Sequence, residues 1–289
     1  INFKREEVVN YSANSLDGNN NTNPSIFEAR DNSWSNSNPV THWDKNKNMV
    51  ACWERFNSTS GETEIKLSAR DYEIYSDTTF KWNRWTEGSE DRFTHFTSQS
   101  SFRSFPKIFA VSMGFTNLGY PHDNYFLIVP HLRPSSNGNK IEVSCRFNYI
   151  HADFQIDSGD ISDLSVINYP NSYLSVPLHF VYRKGIKIIY YKAQFNADGT
   201  MAITKTQEEG PVEVSSGDGG FSSRFTPDIS LMNNVPVITY AASYDAWRTI
   251  EYEDQSTGSI RVNRYPIVKV QRINDSTWSN FVTPQDHTY

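Results

Sequence analysis

Pro177-Leu178-His179-Phe180-Val181-Tyr182-Arg183, followed after a polar turn by Lys187-Ile188-Ile189-Tyr190-Tyr191-Lys192-Ala193, is the passage that decides the fold. Both runs are strand-sized, and β-branched and aromatic residues dominate them. Neither carries the 3.6-residue apolar stripe of a surface helix. A Pro-led segment, Tyr169-Pro170, stands before them.

Three other segments repeat this order. Asn38-Pro39-Val40 leads to Met49–Arg55 and then Glu64–Arg70. Phe105-Pro106-Lys107-Ile108 leads to Phe126–His131 and then Lys140–Phe147. Thr226-Pro227-Asp228-Ile229 leads to Val235–Tyr240 and then Tyr265–Arg272. The lead prolines fall at 39, 106, 170 and 227, a period of roughly 60 residues. One small sheet cannot bury both of its faces, so sheets that recur at a fixed period are expected to stack. The pattern predicts an all-β, β-propeller-like domain of about four to five repeated antiparallel sheets, complete or part of a larger ring. A β-sandwich with regularly spaced strands is the alternative. Residues 38–289 carry the four repeats of one domain. Residues 1–37 read as an incomplete or ring-closing unit followed by an Asn/Ser-rich loop.

Composition narrows the function. Of 289 residues, 14% are aromatic and the net charge is −6. Rings at this density suit half-buried sheets and sugar- or protein-binding faces, and they argue against wholesale disorder. No basic stripe exists, so nucleic acid is not the expected partner. No apolar run approaches the roughly 18 residues of a membrane helix. The first residues lack an initiator Met and a signal peptide, which reads as a mature chain or one piece of a longer protein or complex. Abundant Asn, Ser and Thr, with sequons at Asn10, Asn20, Asn57 and Asn274, point to an extracellular or cell-surface location. Cys52 and Cys145 sit in apolar strand patterns and read as buried thiols, with a disulfide as the alternative.

The strands led by Pro-x-Ile, the following strands that end in Trp or Tyr, and the third strands ending Tyr-Tyr-Lys or Val-Gln-Arg resemble sialidase-like (Asp-box) propellers of secreted bacterial proteins. Asn274-Asp275-Ser276-Thr277-Trp278-Ser279 resembles a shortened Asp-box without its glycine, and Phe102-Arg103-Ser104-Phe105-Pro106 is similar to the Phe-Arg-Ile-Pro signature. The resemblance spans residues 38–280 and implies the propeller fold. The arginine triad, Tyr–Glu pair and acidic proton donor of the family's sialidases have no matching positions here.

Candidate ligand residues come from the repeat. Trp53, His131, Tyr182 and Tyr240 each close the second strand of a unit, and Arg55, Arg133 and Arg183 follow closely in three of them. A ring could stack on a sugar face while the guanidinium forks to hydroxyls or carboxylates. The preferred reading of the same residues is that the rings wedge between neighbouring sheets, with the arginines pairing to the next unit. Trp82 and Trp85 form a second candidate platform or a local apolar cluster. The acidic groups Glu208-Glu209, Glu251-Tyr252-Glu253-Asp254 and Asp157/Asp160/Asp163 read as solvated loops. The last group and Ser216-Gly217-Asp218-Gly219-Gly220 are compatible with a structural Ca²⁺, and no other cofactor is expected. No HxH, HExxH, GxSxG or P-loop occurs. The leading expectation is a non-catalytic extracellular module recognising a glycan or a protein partner. A carbohydrate-active enzyme on the same fold and a structural subunit of a surface assembly are the alternatives.

Overall fold

A computed structural model of the chain describes residues 20–29, 48–57, 62–72, 80–84, 104–112, 125–147, 150–168, 175–198, 202–216, 221–264, 266–274 and 277–279. All regular structure among them is strand, in four antiparallel sheets. The first sheet is β1 (Asn20–Ala29), β2 (Asn48–Asn57), β3 (Glu62–Tyr72) and β4 (Phe80–Arg84), in that order. The second is β5 (Phe109–Ser112), β6 (Tyr125–Ser135), β7 (Gly138–Phe147) and β8 (Ile150–Gly159). The third is β9 (Ile161–Asn168), β10 (Ser175–Lys184), β11 (Lys187–Ala197) and β12 (Ile203–Glu213). The fourth runs β13 (Ser223–Met232), β14 (Val235–Glu251), β16 (Ile267–Asn274) and β17 (Thr277–Trp278), with β15 (Thr257–Arg264) paired to the far end of β14. The first three sheets are thus up-and-down meanders, and the fourth is one interrupted by β15. No helix of the described residues is long and apolar enough to cross a membrane.

The chain divides into two compact units. One holds the first two sheets. The other holds the fourth sheet and most of the third: Gly159–Tyr169, Pro177–Gln194 and Gln207–Tyr289.

The tight turns follow from local chemistry. Asn233 and Asn234 both have positive φ, 52° and 65°, and close the β13–β14 hairpin, where asparagine tolerates the left-handed region. Second strands are covered on both faces: residues 126–132 of β6 and 176–182 of β10 are buried without interruption. That explains their continuous apolar sequences. In the second unit the core joins the third and fourth sheets. Val181, Ile188 and Tyr190 meet Ile229, Ile238, Tyr240, Ala242, Val268 and Val270, with Trp278 packed at its edge. Each fully buried ring or branched side chain there contributes about 2 kcal/mol.

One irregularity recurs in all four sheets. In the first, Thr22 opposes Glu54 and Ser25 opposes Cys52, so three steps along β1 match two along β2. In the third, Ser162 opposes Arg183 and Ser165 opposes Val181. In the fourth, Phe225 opposes Ala241 and Asp228 opposes Thr239. In the second, Leu132 N–H donates to the Ser104 carbonyl at 2.7 Å and Lys107 N–H to the Pro130 carbonyl at 3.0 Å, which gives the same offset. Each is a one-residue β-bulge in the leading strand. At its centre, Phe105, Asp163 and Thr226 have φ of 46°, 54° and 41°. The next residue, Pro106, Leu164 or Pro227, is buried, as is Ile108, Val166 or Ile229 two further on.

This bulge fixes the repeat more sharply than the sequence does. Of the expected lead prolines, Pro106 and Pro227 occupy it, while Pro39 and Pro170 lie outside the described residues. The first sheet places Pro24 at that position and the third places Leu164. Residues 1–37, expected to be an incomplete unit and a loop, therefore contain β1, the leading strand of the first full sheet.

Left-handed backbone at a β-branched residue is costly. Thr226 is exposed, so Thr226→Asn should relieve the strain without loss of packing. A gain of about 1 kcal/mol in unfolding free energy by urea titration is expected. An unchanged or lower midpoint would contradict the strained bulge.

Candidate functional site

The register places Trp53, His131, Tyr182 and Tyr240 at one equivalent position, one residue beyond Cys52, Pro130, Val181 and Thr239. His131, Tyr182 and Tyr240 are fully enclosed and Trp53 is half-buried. Tyr240 lies in the core between the third and fourth sheets. His131, Tyr182 and Tyr240 are therefore packed within the sheets, because a ring with no exposed face cannot stack on a ligand, while Trp53 keeps part of its surface open.

The arginines separate into two positions. Arg55 and Arg133 share one, two residues after the ring; the side chain of Arg55 lies outside the described set. Arg183 sits one residue after its ring, at the position held by Glu54, Leu132 and Ala241 in the other sheets. That position points a side chain at the following sheet within each unit. The Glu54 carboxylate accepts from Ser104 N–H at 2.5 Å, Ser104 Oγ–H at 2.9 Å and Phe105 N–H at 2.7 Å. Arg183 donates through Nη1 to the Arg224 carbonyl at 3.4 Å, lies 5.8 Å from the Phe225 ring centre, and is held by Asp163 and Ser162. An acid in one unit and a base in the other reach the bulge of the next sheet. In the second unit Ser165 adds a 2.7 Å bond to Asp228.

Two buried polar clusters were not expected from the sequence. Around Glu142, Arg133 Nη1 lies at 3.1 Å, His131 Nε2 at 3.6 Å, and Lys140 also pairs with the carboxylate. Burial opposes ionisation of Glu142, but the bonds and charges of His131 and Lys140 outweigh it and hold its carboxyl well below the usual range. Arg133 is thus a structural partner rather than an isolated ligand fork.

The second cluster links the third and fourth sheets. Arg272 pairs with Glu209 and donates to the Tyr190 hydroxyl at 3.0 Å, while its guanidinium carbon lies 5.3 Å from that ring's centre. The hydroxyl meets His179 Nδ1 at 2.7 Å. Because Arg272 can only donate, the tyrosine proton is best used toward His179, which leaves the histidine proton on Nε2. Burial, then the charges of Lys192 and Arg272, push His179 down to about 4. Glu209, read in sequence as part of a solvated loop, lies instead in β12 and is mostly buried. Its signal was the Val270-Gln271-Arg272 ending, whose arginine supplies the partner charge. Trp278, from the Asp-box-like turn, packs edge-on against Tyr190 at 5.1 Å.

Among the described residues, no group of three His, Cys, Asp or Glu side chains is placed to hold a metal ion. Asp163 is engaged by Arg183, and residues 217–220 lie outside the described set. Cys52 and Cys145 are buried free thiols, and burial raises Cys145 well above the ordinary range. Trp82 is in β4 opposite Arg70; Trp85 lies outside the described residues.

The surface offers a different feature. Residues 244–251 of β14 pair only with β15 among the described strands and form a two-stranded ribbon. Its largest exposed side chain is Trp247, at 73%. Glu251, Tyr252, Glu253 and Asp254 at its tip are exposed, as the sequence suggested.

No family model, curated protein or solved structure matches this chain.

The clusters make two tests. Glu54→Ala strips a buried carboxylate from two backbone N–H groups and should cost about 3 kcal/mol in a urea titration, with Glu54→Gln in between. A loss under about 0.5 kcal/mol would show the contact to be idle. For His179, the unfolded chain takes up a proton near pH 6.5 and the folded chain only near 4. Stability is fully present above pH 6.5 and falls by about 3 kcal/mol as pH drops toward 4. His179→Asn, which can keep a bond to Tyr190, should flatten that slope; an unaltered slope would remove His179 as its cause.

Proposed function

We propose that the four meanders are blades of a β-propeller-type stack and that the chain is a non-catalytic extracellular module recognising a glycan or a protein partner. The repeated bulge supports the stack, as do the junctions in which the second strand of one sheet reaches the leading strand of the next. A sandwich has no reason to repeat one bulge and one junction at the same register position. Composition supports the extracellular setting.

The observation that carries the recognition reading is a contrast. Glycoside hydrolysis needs two available carboxylates across a sugar site. The buried carboxylates among the described residues are bound locally: Glu54 by backbone N–H groups, Glu142 by a base cluster and Glu209 by Arg272. The projecting ribbon, in contrast, holds its largest ring toward solvent. These three carboxylates hold their own surroundings together, and the exposed indole is the surface that supports recognition.

A glycan array run beside a turnover assay on polysaccharides and aryl glycosides tests this. Saturable binding without cleavage is expected. Release of shortened chains or aryl alcohol above the buffer control would overturn it in favour of an enzyme.

A further inference from the structure

Successive residues of the ribbon point to opposite faces, so its two sides are chemically distinct. One face carries Tyr244, Ala246, Ile250, Ile260 and Val262, mostly half-covered, together with Arg248 and Arg264. The other pairs Trp247 with Arg261 and Thr249 with Ser259, and sets Asp245 beside them. Glu251 opposite Thr257 completes this face toward the tip, and the seven side chains of Asp245, Trp247, Thr249, Glu251, Thr257, Ser259 and Arg261 are exposed. Arg261 and Asp245 form an ion pair, and Glu251 adds a carboxylate, so the face carries no surplus of positive charge.

We propose that this face of the β14–β15 ribbon is a binding platform for a neutral β-linked glucose polymer. The proposal rests on the recognition reading and names its site and ligand. A flat indole attracts a surface of axial C–H groups, which a β-glucopyranose ring displays on both sides. The edges of that sugar carry equatorial hydroxyls, and here the indole is ringed by hydroxyl, carboxylate and guanidinium groups able to meet them. The ion pair matters to the choice. A polyanion needs surplus cations and finds Arg261 neutralised. A protein partner needs an apolar centre, yet the only apolar side chain among these seven is the indole. A strand pair is also long enough, ~20 Å, to follow several sugars of an extended chain.

Isothermal titration with cellohexaose, alongside heparin as the polyanionic control, decides the matter. Binding of cellohexaose should weaken about tenfold in Trp247→Ala and less in Trp247→Phe, because the stacking ring is worth about 1.4 kcal/mol. Trp247 is exposed, so the urea midpoint of Trp247→Ala should match the parent and exclude misfolding. Binding that survives Trp247→Ala within about twofold overturns the platform while leaving the recognition reading intact. Preference for heparin, or binding to a protein with none to cellohexaose, overturns the ligand assignment on the same terms. No binding to any array glycan or protein overturns both.

Discussion

An extra residue in the leading strand of every sheet is the constraint on which the rest depends. Three residues must fit against two, so the backbone turns through the left-handed region and swings the next side chain inward. Phe105 and Thr226 accept that conformation despite its cost, and Asp163 accepts it more readily. The return is position. The swung residue, Pro106, Leu164 or Pro227, is buried, and the distorted strand exposes backbone groups to the neighbouring sheet. Glu54 and Arg183 take up those groups from opposite ends of the charge scale. Glu54 satisfies N–H donors and Arg183 a carbonyl acceptor.

Charge placement elsewhere follows the same logic. An ionised group inside a sheet stack is tolerable only with its partners around it. Glu142 has three bases near it, and Glu209 faces Arg272. His179 lacks an acid and remains neutral, as the bond to Tyr190 allows. These arrangements fix the side chains that take part in them.

Legibility tracked burial. Strands covered on both faces, β6 and β10, wrote continuous apolar runs and were plain from the sequence. Their rings at 131, 182 and 240 aligned at the true register position. Peripheral strands were missed: β8 alternates His151-Ala152-Asp153-Phe154-Gln155, and β12 opens Ile203-Thr204-Lys205-Thr206-Gln207, both too polar to stand out. The repeat itself was legible in two of four phases. Leu164 replaces proline in the third sheet, and β1 hides among asparagines. Neither a positive φ nor a missing residue of register leaves a mark in composition. Arg183 follows its ring by one residue, so the alternation of the strand turns it to the opposite face, toward the fourth sheet. Trp247 passed unnoticed because one exposed ring has no periodicity.

The alternation at the position of Glu54 has a consequence for how the chain acquires its structure. A charged residue there in the first and third sheets is followed by Leu132 and Ala241 in the second and fourth. The sheets are thereby joined as couples through Glu54 and Arg183. These two junctions link residues 51 and 41 positions apart, whereas a ring of sheets closed all at once must first bring distant segments together. A polypeptide emerging from its N-terminus can therefore form the Glu54 junction before the residues of the Arg183 junction have been made.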